Sequence, residues 1–90
     1  KINRTIFLGM ELRNITNSDK KITKDNPAVK ITDIQNSRLY RLGIEKGYFI
    51  LKVNDINVND INEVDRIDIE ALNSILFMSP SGEKERIIFE

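Results

Sequence analysis

The chain lacks cysteine, histidine and tryptophan, has two prolines and four glycines in 90 residues, and carries no net charge. Each shortage excludes something. Without histidine there is no Ser-His-Asp triad, and without cysteine there is no thiol nucleophile. The same absences remove the usual zinc and redox sites, so no cofactor, no metal and no catalytic site is expected. Zero cysteine fits a reducing compartment and an oxidising one equally. Fourteen basic residues cancel fourteen acidic ones, which leaves no overall field to draw the chain onto nucleic acid or an anionic membrane. No apolar run exceeds four residues, as at positions 75–78; a membrane-spanning helix needs about 20. The opening Lys1-Ile2-Asn3 has no signal-peptide pattern and reads as the start of an internal fragment.

What is present fits one compact domain. The length suits a single unit, and 40% hydrophobic residues supply one modest core. Ile, Asn and Lys make up 33 of the 90 residues, a compositional bias that inflates asparagine without giving it a role. No internal repeat, low-complexity tract or interior linker interrupts the chain.

Hydrophobic periodicity sets out the elements. Residues 4–15 alternate from Leu8 onward, with Leu8, Met10 and Leu12 on one side and Glu11 and Arg13 on the other, so they read as a half-buried strand interrupted at Gly9. Residues 16–28 are polar and lysine-rich, a loop with one helical turn around 18–21; with no aromatic interleaved, Lys20, Lys21 and Lys24 read as solvated rather than as a nucleic-acid contact. Val29–Ile34 alternates again and is rich in branched residues, hence strand. Asn36 or Ser37 caps a short helix through Leu42, and Gly43 takes the left-handed position after it. Residues 48–53 form the most apolar strand and belong at the centre of a sheet. Asn54-Asp55 is a turn leading to a short strand at 56–58.

Asp60 followed by Glu63 reads as a capping box that opens a helix carrying Val64, Ile67 and Ala71 at spacings of three and four; the spacing leaves open whether it reaches Ile75. Residues 75–78 look like strand, 79–82 like a turn, and 83–89 like a last strand. The sum is an α+β domain with five or six strands and two helices. Asp55-x-Asn57-x-Asn59 begins like a calcium loop, but Asp60 stands where that loop needs Gly and Arg66 where it needs Glu, so it is rejected. Asp65 and Asp68 belong to a solvated face rather than to acid–base chemistry.

Two stretches resemble PDZ domains. Phe7-Leu8-Gly9-Met10, opening an alternating strand, is similar to their carboxylate-binding loop. Residues 36–54, with a short helix, Gly43-Ile44, two polar residues, Gly47 and an apolar strand ending at Asn54, resemble the stretch that follows. The chain order resembles the permuted bacterial arrangement, a small, partly closed, mostly antiparallel sheet. The Phe-Leu-Gly before Glu-Leu-Arg-Asn and the late Met78-x-Pro80-x-Gly82 hairpin are similar to the second PDZ domain of HtrA/Do-type periplasmic serine proteases. The resemblance implies a non-catalytic module cut from a larger, periplasmic protease chain that acts in protein quality control.

The peptide reading has a definite geometry. Inward-turned N–H groups of Leu8, Gly9 and Met10 would hold a peptide C-terminal carboxylate. The edge of residues 11–15 would accept the ligand as an added antiparallel strand, with Arg13 and Asn14 at its border. A pocket of Leu8, Met10, Leu12, Val64 and Ile67 would take one ligand side chain. The candidate peptide-binding residues are therefore Phe7, Leu8, Gly9, Met10, Glu11, Leu12, Arg13, Asn14, Val64 and Ile67, and the partners are peptide or protein C-termini. The alternative is an assembly module of the same fold, its groove filled by its own chain or by a neighbouring subunit, mediating oligomerisation or contacts with neighbouring domains.

Overall fold

A computed structural model describes residues 4–89. Residues 1–3, read above as the start of an internal fragment, lie outside them. The protein is a small α+β domain built on an antiparallel sheet. Among the described residues there are seven strands, three short α-helices and one 3-10 turn, where the sequence led us to expect five or six strands and two helices.

The first expected strand is in fact a hairpin. β1 (Arg4–Phe7) turns back at Leu8-Gly9 into β2 (Met10–Asn14), with Phe7 facing Met10. Leu8 and Gly9 both have positive φ, 53° and 77°, the signature of the two-residue turn whose twist suits a hairpin. β2 pairs on its other side with β3 (Val29–Ile34). A bulge at Thr32 shifts this register, and the Thr32 hydroxyl donates to the Glu11 carbonyl at 3.1 Å.

Between β2 and β3 runs α1 (Asn17–Thr23), a full helix where polarity had pointed to a loop. Its start is a capping box: Thr16 Oγ1 accepts from Asp19 N–H, and Asp19 Oδ2 accepts from Thr16 N–H at 2.9 Å. The buried face of α1 is polar, with Asp19 and Thr23 inside, so it leaves no apolar stripe to read. Lys30 on β3 supplies Asp19 with its counter-charge at 3.2 Å.

α2 (Ser37–Arg41) ends as expected. Gly43 N–H donates to the Tyr40 carbonyl and Ile44 N–H to the Leu39 carbonyl, with Gly43 at φ 100°. β4 (Phe49–Val53) pairs with β3, with the two-residue β5 (Ile56–Asn57) and with β6 (Ser74–Met78), so it is central. Both its faces are covered: Ile50 and Val53 join the main core, while Phe49 and Leu51 pack with Ala28 and Met78. That explains the apolar run Phe49–Leu51. β7 (Lys84–Ile88) pairs with β6 and ends the sheet, whose order is β1-β2-β3-β4-β6-β7.

The helix expected after Asp60, whose end the sequence leaves open, is short. α3 covers only Ile61–Asp65, and a separate 3-10 turn covers Ile69–Ala71. Its last turn holds an acid and no base, which opposes the helix dipole. Asp68 then caps the 3-10 turn by accepting from Glu70 N–H at 3.0 Å. Asp60 caps α3 as expected, accepting from Glu63 N–H at 3.0 Å. Glu63 reaches back one residue further than a capping box would, to Asn59 N–H at 2.7 Å.

Candidate functional site

The groove expected between β2 and the following helix exists as a place, and the chain itself fills it. β1 lies antiparallel to β2 in the register Arg4↔Arg13, Thr5↔Leu12, Ile6↔Glu11 and Phe7↔Met10. It packs against α3, and the Thr5 hydroxyl donates to the Asp65 carboxylate there. This is where an added guest strand would have to lie.

The expectation of an open edge along residues 11–15 is therefore corrected. β2 is paired on both sides over Met10–Arg13, with β1 and with β3. A strand so paired has no row of free N–H and C=O groups to offer a guest. The expected carboxylate loop lies at the tip of this hairpin. Leu8 and Gly9 are the hairpin turn, and their carbonyls are engaged. The Leu8 carbonyl accepts from Asn36 Nδ2 at 2.9 Å and the Gly9 carbonyl from Gln35 N–H at 2.8 Å.

The pocket residues fare the same way. Met10 and Leu12 are fully buried, Val64 is 1% exposed, and Phe7 shares their core cluster. Met10, Leu12 and Val64 are core, with a side chain of β1 packed among them rather than one from a ligand. Leu8 and Ile67 only pack against this cluster. Ile67, beyond the end of α3, also lines a different cavity.

The border residues have structural work. Asn14 Oδ1 accepts from Ile61 N–H at 2.9 Å, fixing the first turn of α3 to β2. Glu11 accepts from the Thr32 hydroxyl at 2.9 Å and pairs with Arg4 at 3.5 Å. Arg13 is half-buried opposite Lys30 and Arg4.

Two asparagines make long-range bonds that no local pattern shows, and the first of them holds the hairpin turn. Asn36 was read only as a cap, yet it joins α2 to the hairpin turn: its Oδ1 accepts from Leu39 N–H at 3.1 Å while its Nδ2 holds Leu8. Asn54 was read only as a turn residue, yet its Oδ1 accepts from Asn73 N–H at 2.6 Å and Nδ2 donates to the Ala71 carbonyl at 3.0 Å. An asparagine inside a turn signal marks the turn and not its long-range partner.

Among the described residues Asp19 is the one group whose acidity is clearly altered. Burial pushes its pKa up, but hydrogen bonds from Thr16 and the Lys30 ammonium outweigh this and hold it below the usual carboxylate value. Its partners are a helix cap and a structural ion pair, so the shift belongs to the fold. Among the described residues no cluster of three or more acidic side chains is arranged to hold a metal, and no helix is long and apolar enough to cross a membrane. Comparison with known proteins gives no relative: no family model, no curated protein and no solved structure matches the chain.

Proposed function

We propose that the chain is a non-catalytic, PDZ-like interaction module whose peptide groove is occupied by its own first strand, so that it serves assembly or interdomain contact rather than capture of free C-termini. The observation that carries this reading is the position of β1, antiparallel to β2 and against α3. The HtrA-like resemblance of residues 7–14 and 36–54 supplies the parent, a serine protease, in which such a module would contact neighbouring domains or subunits.

The energetics favour the internal strand. Phe7 is 4% exposed, and burying a side chain of that size is worth roughly 3 kcal/mol. A peptide of intrinsically micromolar affinity would have to displace it first, which weakens apparent binding roughly 150-fold. The test is a titration with C-terminal peptides in free-carboxylate and amidated forms, read on the amide signals of Leu8, Gly9 and Met10. Neither form should give a saturating shift below about 100 μM. Micromolar saturation that requires the free carboxylate would favour the peptide-recognition reading, with β1 yielding to a guest.

A further inference from the structure

Beside α3, and sharing no lining residue with β1 or β2, lies an open cavity of about 280 Å³. Val53 and Val58, both about 4% exposed, form its floor, and Ile56 and Ile67 its walls. Glu63 and Asp68 stand at its rim. Ile56 is 69% exposed and Ile69, next to Asp68 in the chain, 55% exposed. An apolar floor with the exposed Ile56 in its wall offers a contact surface.

The charge around it is one-sided. Residues 55–70 hold six acids (Asp55, Asp60, Glu63, Asp65, Asp68 and Glu70) against Arg66 alone, a formal charge of −5 that the rest of the neutral chain balances with +5. Overall neutrality hides this separation. Asp55 is paired with Arg86, and Asp65 accepts from Thr5. Glu63 and Asp68 form no ion pair among the described residues; they accept only from Asn59 and from Glu70 N–H. Their carboxylates keep acceptor capacity facing solvent.

We propose that this cavity docks an extended segment of a partner protein that presents one apolar side chain between basic ones. The volume lies just under the roughly 300 Å³ at which small-molecule sites begin, so it suits an anchoring side chain. A buried apolar anchor ringed by polar contacts is how a small interface concentrates its affinity. Lysine or arginine on either side of the anchor would meet Glu63 and Asp68, and the −5 segment would favour encounter with a basic chain over an acidic one. The site is separate from the β1-filled groove and stands or falls without it.

The probe is a pentapeptide, acetylated and amidated, with the sequence Gly-Lys-Leu-Lys-Gly; its blocked ends keep it from testing the carboxylate loop. Titrated into the protein, it should give saturating amide shifts at Val58 and Ile67 at millimolar concentration. Serine in place of the leucine, or glutamate in place of the lysines, should abolish saturation. Combining Glu63→Gln with Asp68→Asn, which keeps an acceptor at both positions, should weaken binding about three- to ten-fold. Raising salt from about 50 to about 500 mM should weaken binding to the unaltered protein, a check that needs no variant to fold. The proposal is overturned by an absence of shifts at about 5 mM peptide, by equal binding of the serine peptide, or by salt-independent binding. It is also overturned if raising the protein concentration alone moves the same signals, since the occupant would then be a second copy of the chain.

Discussion

Asn36 Nδ2 donates to the carbonyl of Leu8 at 2.9 Å, across 28 residues of chain. The same side chain caps α2 through Leu39 N–H, so one asparagine sets the start of a helix and the place of the turn that aims β1 into the groove. The two bonds use different atoms, which lets them be separated. Asn36→Asp keeps the capping oxygen and loses the donor to Leu8; Asn36→Ala loses both. Urea unfolding should show the alanine variant destabilised by about 2 kcal/mol and the aspartate variant by about 1 kcal/mol. An aspartate variant as stable as the parent would mean that the bond to Leu8 contributes nothing, and equal losses in the two variants would mean the same of the cap.

Gly9 sits in the same turn at φ 77°, and a methyl group there would meet the Asn36 Cβ at 3.4 Å. Gly9→Ala is expected to cost about 1–2 kcal/mol, chiefly through the left-handed backbone. Amide exchange in β1 should quicken more than in β6. Uniform quickening would place the effect in global stability alone.

A third expectation concerns acid. Asp19 has a lowered pKa in the folded state, so its contribution to stability is present above the pKa of the unfolded chain and is lost as pH falls through the folded value. Between about pH 5 and pH 2 the chain should lose stability that an Asp19→Asn variant has already lost at neutral pH. Parallel stability–pH curves for the two proteins over that interval would contradict the assignment.

These residues also mark where sequence reading works in this chain. Val29–Ile34, the Gly43 cap, the central apolar strand and the turn at Gly82 are set by local patterns, and the structure has them. α1 was hidden because its buried face is Asp19 and Thr23, polar residues made tolerable by Lys30, 11 positions away from Asp19. The end of α3 at Asp65 is not legible, because the spacing of Ile67 and Ala71 continues past the acids that end it. The hairpin was missed because Leu8-Gly9 is not one of the favoured turn pairs. Whether β2 had a free edge was beyond any local pattern, since it depends on which other segment docks there.

Because the chain has no cysteine, a designed bond can lock the groove shut. Arg4 and Arg13 are cross-strand partners. Replacing both by cysteine should give a disulfide that forms readily under mild oxidation, with an upper limit of about 2–3 kcal/mol of added stability from closing so short a loop. The oxidised protein should keep the amide spectrum of the parent outside the first hairpin. Failure of the bond to form, or a rearranged spectrum, would mean that β1 does not rest on β2.

The most direct test needs no variant. In an antiparallel pair closed by a two-residue turn at Leu8-Gly9, Ile6 and Glu11 face each other without sharing hydrogen bonds, and so do Arg4 and Arg13, which brings their α-protons close. Nuclear Overhauser contacts between the α-protons of Ile6 and Glu11, and of Arg4 and Arg13, are expected in the free protein, together with slow exchange of the Leu12 amide. Absence of both contacts with fast exchange at Leu12 would contradict the self-filled groove and restore an open strand edge beside α3.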